Sequence, residues 1–293
     1  MQKVITVDNN ILKSAELSGQ RFFFNLSSRF SGTQGGGKFG SKTGQSLEFI
    51  EHREYQPGDD IRHVDWSAVA RSDKLAIKLF REEITPHLDL LLDLSKSMAI
   101  NKEKFDAVTA LTAILSKVAY NSGYTFYSWL IKDMCRKVEP TNLPINKWKD
   151  FVANSNNNTG KTLCEFPPKL KTGAVRILIS DLFWNQEPLG VLRRLSDGAA
   201  AVVIIQLVSK QDLNPEVYGN MRIIDSETGE ALELICDESV LSEYKTNLNS
   251  HRQYWKECCT KSGAVFCFVE AENLLKDFVP DELIKNEILV LGY

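Results

Sequence analysis

The chain has 293 residues, 43% of them hydrophobic and 25% charged, enough for one large domain or two modest ones that each bury a real core. Its 35 Lys and Arg against 38 Asp and Glu give a formal net charge of −3, which argues against a broad nucleic-acid or membrane-binding surface. The longest apolar run, 199–205, is too short to cross a bilayer, and the opening MQKVITVDNN lacks the basic start and apolar stretch of a secretion signal, so a cytoplasmic location is expected. Cys135, Cys164, Cys236, Cys258, Cys259 and Cys267 form no Cys-x-x-Cys pair, so reduced core thiols are expected rather than a zinc cluster or a disulfide framework.

Residues 9–30 read as helical, with Ile11, Leu12 and Ala15 followed by Phe22, Phe23 and Leu26. Residues 31–46 are Gly/Ser-rich and polar and read as a loop. Pro57–Gly58–Asp59–Asp60 is a turn signal. The surrounding His52, Arg53, Arg62, His63, Asp65 and Arg71 are expected to form structural ion pairs. From Lys74 to Phe80 polar and apolar residues alternate, as in a half-buried strand.

After Pro86 the pattern changes. Short apolar runs recur at 88–92, 124–131, 175–179, 202–207 and 264–269. Between them lie helical stripes: Phe105, Val108, Leu111, Leu115 and Val118, then Leu241, Tyr244, Leu248, Trp255 and Cys258, closed by Gly263. Buried strands alternating with amphipathic helices predict an α/β fold, a doubly wound, mainly parallel sheet with helices on both faces. Residues 221–234 read as an inserted β-hairpin, about 216–237 with its flanks, turning at Thr228–Gly229. The expected division is a smaller β-rich N-terminal segment, 1–86, and an α/β domain, 87–293.

The first strand of the α/β region leaves the core at Asp93, followed by Ser95 and Ser97. Ligands of open α/β sheets bind at the carboxyl ends of strands. Alternation puts the three oxygens on one side of the loop, a hard donor set suited to Mg²⁺ or Mn²⁺. Octahedral geometry at roughly 2.0–2.1 Å asks for about six oxygens, so water and other loops complete the shell. The strand VRILIS ends at Asp181, the natural second carboxylate, and the polar loop before it offers Thr159 and Thr162. A simpler role for Asp93 and Ser95 is to cap the following helix. Trp184, three residues past Asp181, is a candidate partner anchor on the rim of the site, set against simple packing.

Asp-x-Ser-x-Ser with a downstream Thr and Asp resembles the metal-ion-dependent adhesion site (MIDAS) of von Willebrand factor A (vWA) domains. The wider chain resembles the bacterial family DUF58, through Glu48–Phe49, Arg53, Tyr55, Pro57–Gly58–Asp59–Asp60, Arg62, Val64–Asp65–Trp66, Ala70–Arg71, Ile77–Lys78–Leu79–Phe80 and 224–230. The resemblance implies a vWA-like fold and a Mg²⁺ site at Asp93, Ser95, Ser97 and Asp181, with either Thr159 or Thr162. It also implies an adaptor or assembly role beside a MoxR-type AAA+ ATPase, or with another protein that supplies an acidic residue to the ion.

Gly160–Lys161–Thr162 copies the end of a phosphate-binding loop, but Ser155 stands where that motif needs its first glycine. No Gly-x-Ser-x-Gly elbow and no His-Glu-x-x-His is present. The enzymatic alternative is a metal-assisted phosphoesterase at the same Asp93 site, with His63 as its candidate base.

Overall fold

A computed structural model of the chain describes residues 8–26, 47–72, 75–82, 85–138, 158–226 and 228–292. The chain folds as two compact units, Thr33–Thr85 and a larger one made of Met1–Gly32 with Pro86–Tyr293. This corrects the expected 1–86 segment, because the first helix and strand belong to the larger unit. The helix expected over 9–30 is also shorter. α1 (Asn9–Gly19) ends before Phe22, and β1 (Phe22–Phe24) pairs antiparallel with β12 (Leu289–Leu291) near the other end of the chain. Three consecutive aromatics favour a strand once a partner edge is present. The predicted loop over 31–46 lies outside the described residues.

In the smaller unit β2 (Leu47–Glu54) pairs antiparallel with β3 (Ala76–Glu82), and the register shifts between Phe49 and Glu51. The turn uses Gly58 at φ +106°, a conformation that costs glycine nothing. A 3₁₀ turn at Ile61–His63 and α2 (Trp66–Ser72) follow. Asp65 caps α2, accepting hydrogen bonds from the backbone N–H groups of Ser67 and Ala68. The clustered charges are paired: Arg53 with Asp59 at 2.8 Å, Arg62 with Asp60 at 2.7 Å and His52 with Asp65 at 2.7 Å. Arg71 instead donates to the carbonyl of Ser67. The side chain of His63 lies outside the described residues.

The larger unit is built on β4 (His87–Asp93), β5 (Thr125–Ile131), β6 (Cys135–Val138), β7 (Val175–Ser180), β8 (Ala201–Val208) and β11 (Val265–Glu270), in the order β11-β8-β7-β4-β5-β6. All neighbours are parallel except β6, an antiparallel edge strand. The chain steps from β4 to β5 on one side, then returns to place β7 on the other. β4 therefore lies at the point where strand order reverses, the usual place for a ligand crevice.

Two apolar layers clothe the sheet. Leu88, Leu90 and Leu92 of β4 face the layer with α1, α4 (Lys102–Asn121), α9 (Ala271–Asp277) and α10 (Asp281–Lys285). Leu91 faces the layer with α5 (Thr159–Glu165), α6 (Pro188–Ser196) and α8 (Glu238–Lys261). Strand alternation puts His87, Asp89 and Asp93 on the Leu91 side. Each of these polar groups must therefore find partners inside the core. Short α3 (Lys96–Ile100) and α7 (Lys210–Leu213) follow β4 and β8. The hairpin is as expected, β9 (Gly219–Ile224) with β10 (Ala231–Cys236), turning at 225–230. All six cysteines are free.

Candidate functional site

β4 carries Asp93 into the interior at its carboxyl end, where the side chain is fully buried. Its donors come from three separate segments. Oδ1 accepts from the backbone N–H of Ser95 at 2.8 Å and from Thr159 Oγ1 at 2.5 Å, and Oδ2 accepts from Ser180 Oγ at 2.5 Å. All three donors are neutral. Burial and the charge of Asp181 push the Asp93 carboxyl up to about 6, against the pull of those hydrogen bonds.

The loop after β4 is short. α3 begins at Lys96, and Asn101 caps the longer α4, accepting from Lys104 N at 2.9 Å. Ser95 occupies the N-cap position of α3, yet its side chain makes no capping hydrogen bond. Its Oγ lies 3.0 Å from Ser97 Oγ instead. Capping therefore does not account for Ser95, and two hydroxyls stand together beside the Asp93 turn.

The structure separates the two threonines. Thr159 starts α5 and reaches Asp93, whereas Thr162, one turn on, donates to the carbonyl of Lys132 at the β5–β6 turn. Asn158 caps this helix, accepting from Lys161 N at 2.8 Å. Gly160 has a packing reason: a Cβ there would sit 2.7 Å from the Trp184 ring. Trp184 is not a rim anchor, being only 7% exposed and packed edge-on to Trp255 with ring centroids 6.0 Å apart. The exposed aromatic of this loop is its neighbour Phe183, at 39%.

Asp181 is buried at the end of β7, and its Oδ1 accepts from Phe183 N at 3.1 Å. Its Oδ2 lies 3.0 Å from Nζ of Lys104, a buried lysine that also meets Asp212 Oδ2 at 3.2 Å. Burial works against the Lys104 charge, but Asp181 and Asp212 outweigh it and hold the ammonium above the ordinary lysine range. Leu182, fully buried, takes a left-handed φ of +62°, which costs a non-glycine residue on the order of 1 kcal/mol. That conformation turns the chain sharply behind Asp181, and the Leu182 carbonyl faces His251 Nε2 at 3.0 Å.

Sequence reasoning missed Ser180, Lys104 and Asp212. Ser180 directly precedes the Asp that was singled out. Lys104 falls four residues before Val108 and seven before Leu111, on the apolar stripe of α4, so its burial was foreshadowed by the periodicity. Asp212 had no signal, because its role depends on β8 lying beside β7.

A Mg²⁺ or Mn²⁺ ion fits the chemistry of these donors. A buried carboxylate with only neutral donors, the nearby hydroxyls of Ser95, Ser97, Thr159 and Ser180, and a second carboxylate form a hard, oxygen-only set. Among the described residues no three His, Cys, Asp or Glu side chains gather in one place, so any metal site here leans on hydroxyls.

Fold and site together define an open α/β protein whose polar site lies at the switch point of a mainly parallel sheet. The chain belongs to the family described as "Protein of unknown function DUF58", whose model matches residues 51–254. No curated protein matches it. Among solved structures it is similar to an aerotolerance-related membrane protein from Bacteroides fragilis NCTC 9343, at 14% identity and a TM-score of 0.36, covering 68% of this chain and 99% of that one. It is also similar to the conserved hypothetical protein BatB from Bacteroides thetaiotaomicron, at 12% identity and a TM-score of 0.35, covering 68% and 98%. A membrane-spanning protein from Vibrio fischeri matches at 18% identity and a TM-score of 0.15, covering 68% and 95%. Among the described residues no helix is long and apolar enough to cross a membrane.

Proposed function

We propose that this chain is a metal-dependent interaction module of vWA-like organisation, with a MIDAS-type Mg²⁺ (or Mn²⁺) site at the carboxyl end of β4. The observation that supports this best is the convergence of Ser95, Thr159 and Ser180, from three separate segments, on the buried carboxylate of Asp93. Asp93, Ser95, Ser97 and Thr159 would hold the ion, with Asp181 contributing directly or through water. Thr162 is left out, since its hydroxyl is committed to Lys132. Bound there, the ion supplies Lewis acidity toward a carboxylate offered by a partner protein. The family resemblance points to a MoxR-type AAA+ ATPase as that partner. Burial of Asp93 keeps bulk water from competing for its oxygens, and the Ser95–Ser97 turn fixes two hydroxyls in advance, which limits the ordering entropy of binding.

The test is capture from a cell lysate by tagged wild type and Asp93→Ala, in Mg²⁺ or in chelator, with circular dichroism to check folding. The expected outcome is an AAA+ ATPase retained only by wild type in Mg²⁺. Retention of the same partner in chelator would remove the ion from the proposal.

A further inference from the structure

We infer that Lys104 acts as an internal counter-cation that competes with the divalent ion for Asp181 and so sets how weakly the site holds metal. The inference rests on the metal-site reading above. Lys104 is 2% exposed, and its Nζ contacts carboxylates from two different segments, Asp181 after β7 and Asp212 in α7. Asn101 fixes the start of α4 and thus the origin of the Lys104 stem. Asp212 is held in turn by a reciprocal capping arrangement with Ser209. The ammonium lies over the Phe183 ring at 5.7 Å, so the aromatic face adds to its stabilisation. One oxygen of Asp181 is therefore held by a fixed positive charge, while Asp93 on the neighbouring strand has no cationic partner among its hydrogen bonds. A divalent ion reaching Asp93 meets a second carboxylate that is already half neutralised, and the lysine paired with that carboxylate repels it.

Asp212 sets the balance. While it shares the ammonium, Asp181 is only partly claimed; without it, Lys104 pairs with Asp181 alone. Two opposite outcomes follow for the full-length protein. Lys104→Gln removes the competitor and should bind Mn²⁺ about tenfold more tightly than wild type, the scale of one nearby charge in a partly screened site. Asp212→Asn keeps the capping oxygen but gives Lys104 wholly to Asp181, and should bind Mn²⁺ about threefold more weakly. Lys104→Arg keeps the charge and should stay near wild type.

The experiment is titration with Mn²⁺, following the free ion by electron paramagnetic resonance, together with melting curves in Mn²⁺ and in chelator. Lys104→Gln should melt lower than wild type in chelator and regain stability in Mn²⁺, because the ion then supplies the missing positive charge. Equal or weaker Mn²⁺ binding by Lys104→Gln would show that the lysine only positions Asp181, and would overturn the inference. If Lys104→Gln does not fold, Asp212→Asn decides alone, and unchanged affinity overturns it. Mn²⁺ binding by wild type with no response to either substitution would reject the competitor role and leave the metal site standing. Absence of Mn²⁺ binding in every variant would reject both.

Discussion

Asp93 shows a residue arranged against the stability of the ion-free fold. Its ordinary pKa of 3.8 is raised to about 6 by full burial and by Asp181. A group that holds its proton more tightly when folded stabilises the fold below its unfolded pKa, and loses that contribution as pH rises through its folded value. At pH 8 the charged form therefore costs up to about 3 kcal/mol. Asp93→Asn keeps an acceptor for Ser95 and Thr159 and offers Ser180 a donor. It should raise the melting temperature in chelator at pH 8 while abolishing stabilisation by Mg²⁺; a lower melting temperature in chelator would contradict this account. His87, at the other end of the same strand, works in the opposite sense. Its Nδ1 meets Thr125 Oγ1 at 2.7 Å, while its buried Nε2 stands 3.5 Å from Asp89 Oδ1, too far for a good hydrogen bond. Burial lowers its pKa more than Asp89 raises it. The folded chain thus binds this proton less readily than the unfolded one, and stability should fall as pH drops below about 6.5. His87→Asn should flatten that acid limb in denaturant titrations between pH 7 and 5, and an unchanged slope would assign the limb to other groups.

Among elements, α5 is the one whose placement decides the site. Glycine inside a helix ordinarily costs about 1 kcal/mol relative to alanine, so Gly160→Ala would stabilise an isolated helix. Here the added Cβ would lie 2.7 Å from the Trp184 ring, and overpacking of that kind costs about 1–3 kcal/mol. The clash offsets the propensity gain or exceeds it, so Gly160→Ala should destabilise by up to about 2 kcal/mol. It should also weaken Mg²⁺ binding, because Thr159 is the preceding residue. Chemical denaturation and metal titration of this one variant check both. Loss of stability without loss of affinity would mean that α5 does not hold Thr159 in place. The β7–α6 loop is built on a similar constraint: the left-handed Leu182 keeps Asp181 and Phe183 on one side of the turn and buries Trp184 on the other.

For the molecule as a whole, an ion bound only by the folded state must raise stability by mass action. At a Mg²⁺ concentration one hundred times the dissociation constant the gain is about 2.7 kcal/mol. Wild type should therefore melt at a temperature that climbs with Mg²⁺, whereas Asp93→Ala should not respond; a flat wild-type curve would refute the metal site. Five of the six strands, β4, β5, β7, β8 and β11, and the helical layers were legible in the sequence, because strands buried on both faces must be apolar throughout and helices must carry a stripe; the half-exposed edge strand β6 carried no such run. Asp93, Ser95, Ser97 and Asp181 were legible for a related reason, as polar residues placed directly at the ends of such runs. Contacts between distant segments were not. The pairing of β1 with β12, the choice of Thr159 over Thr162, the burial of Trp184 and the bridge from Lys104 to Asp181 and Asp212 each depend on which strands become neighbours. Local periodicity constrains which face of an element is buried, but it carries no record of what that face meets. Here the sheet order, with β7 and β5 flanking β4, decided which side chains reach Asp93.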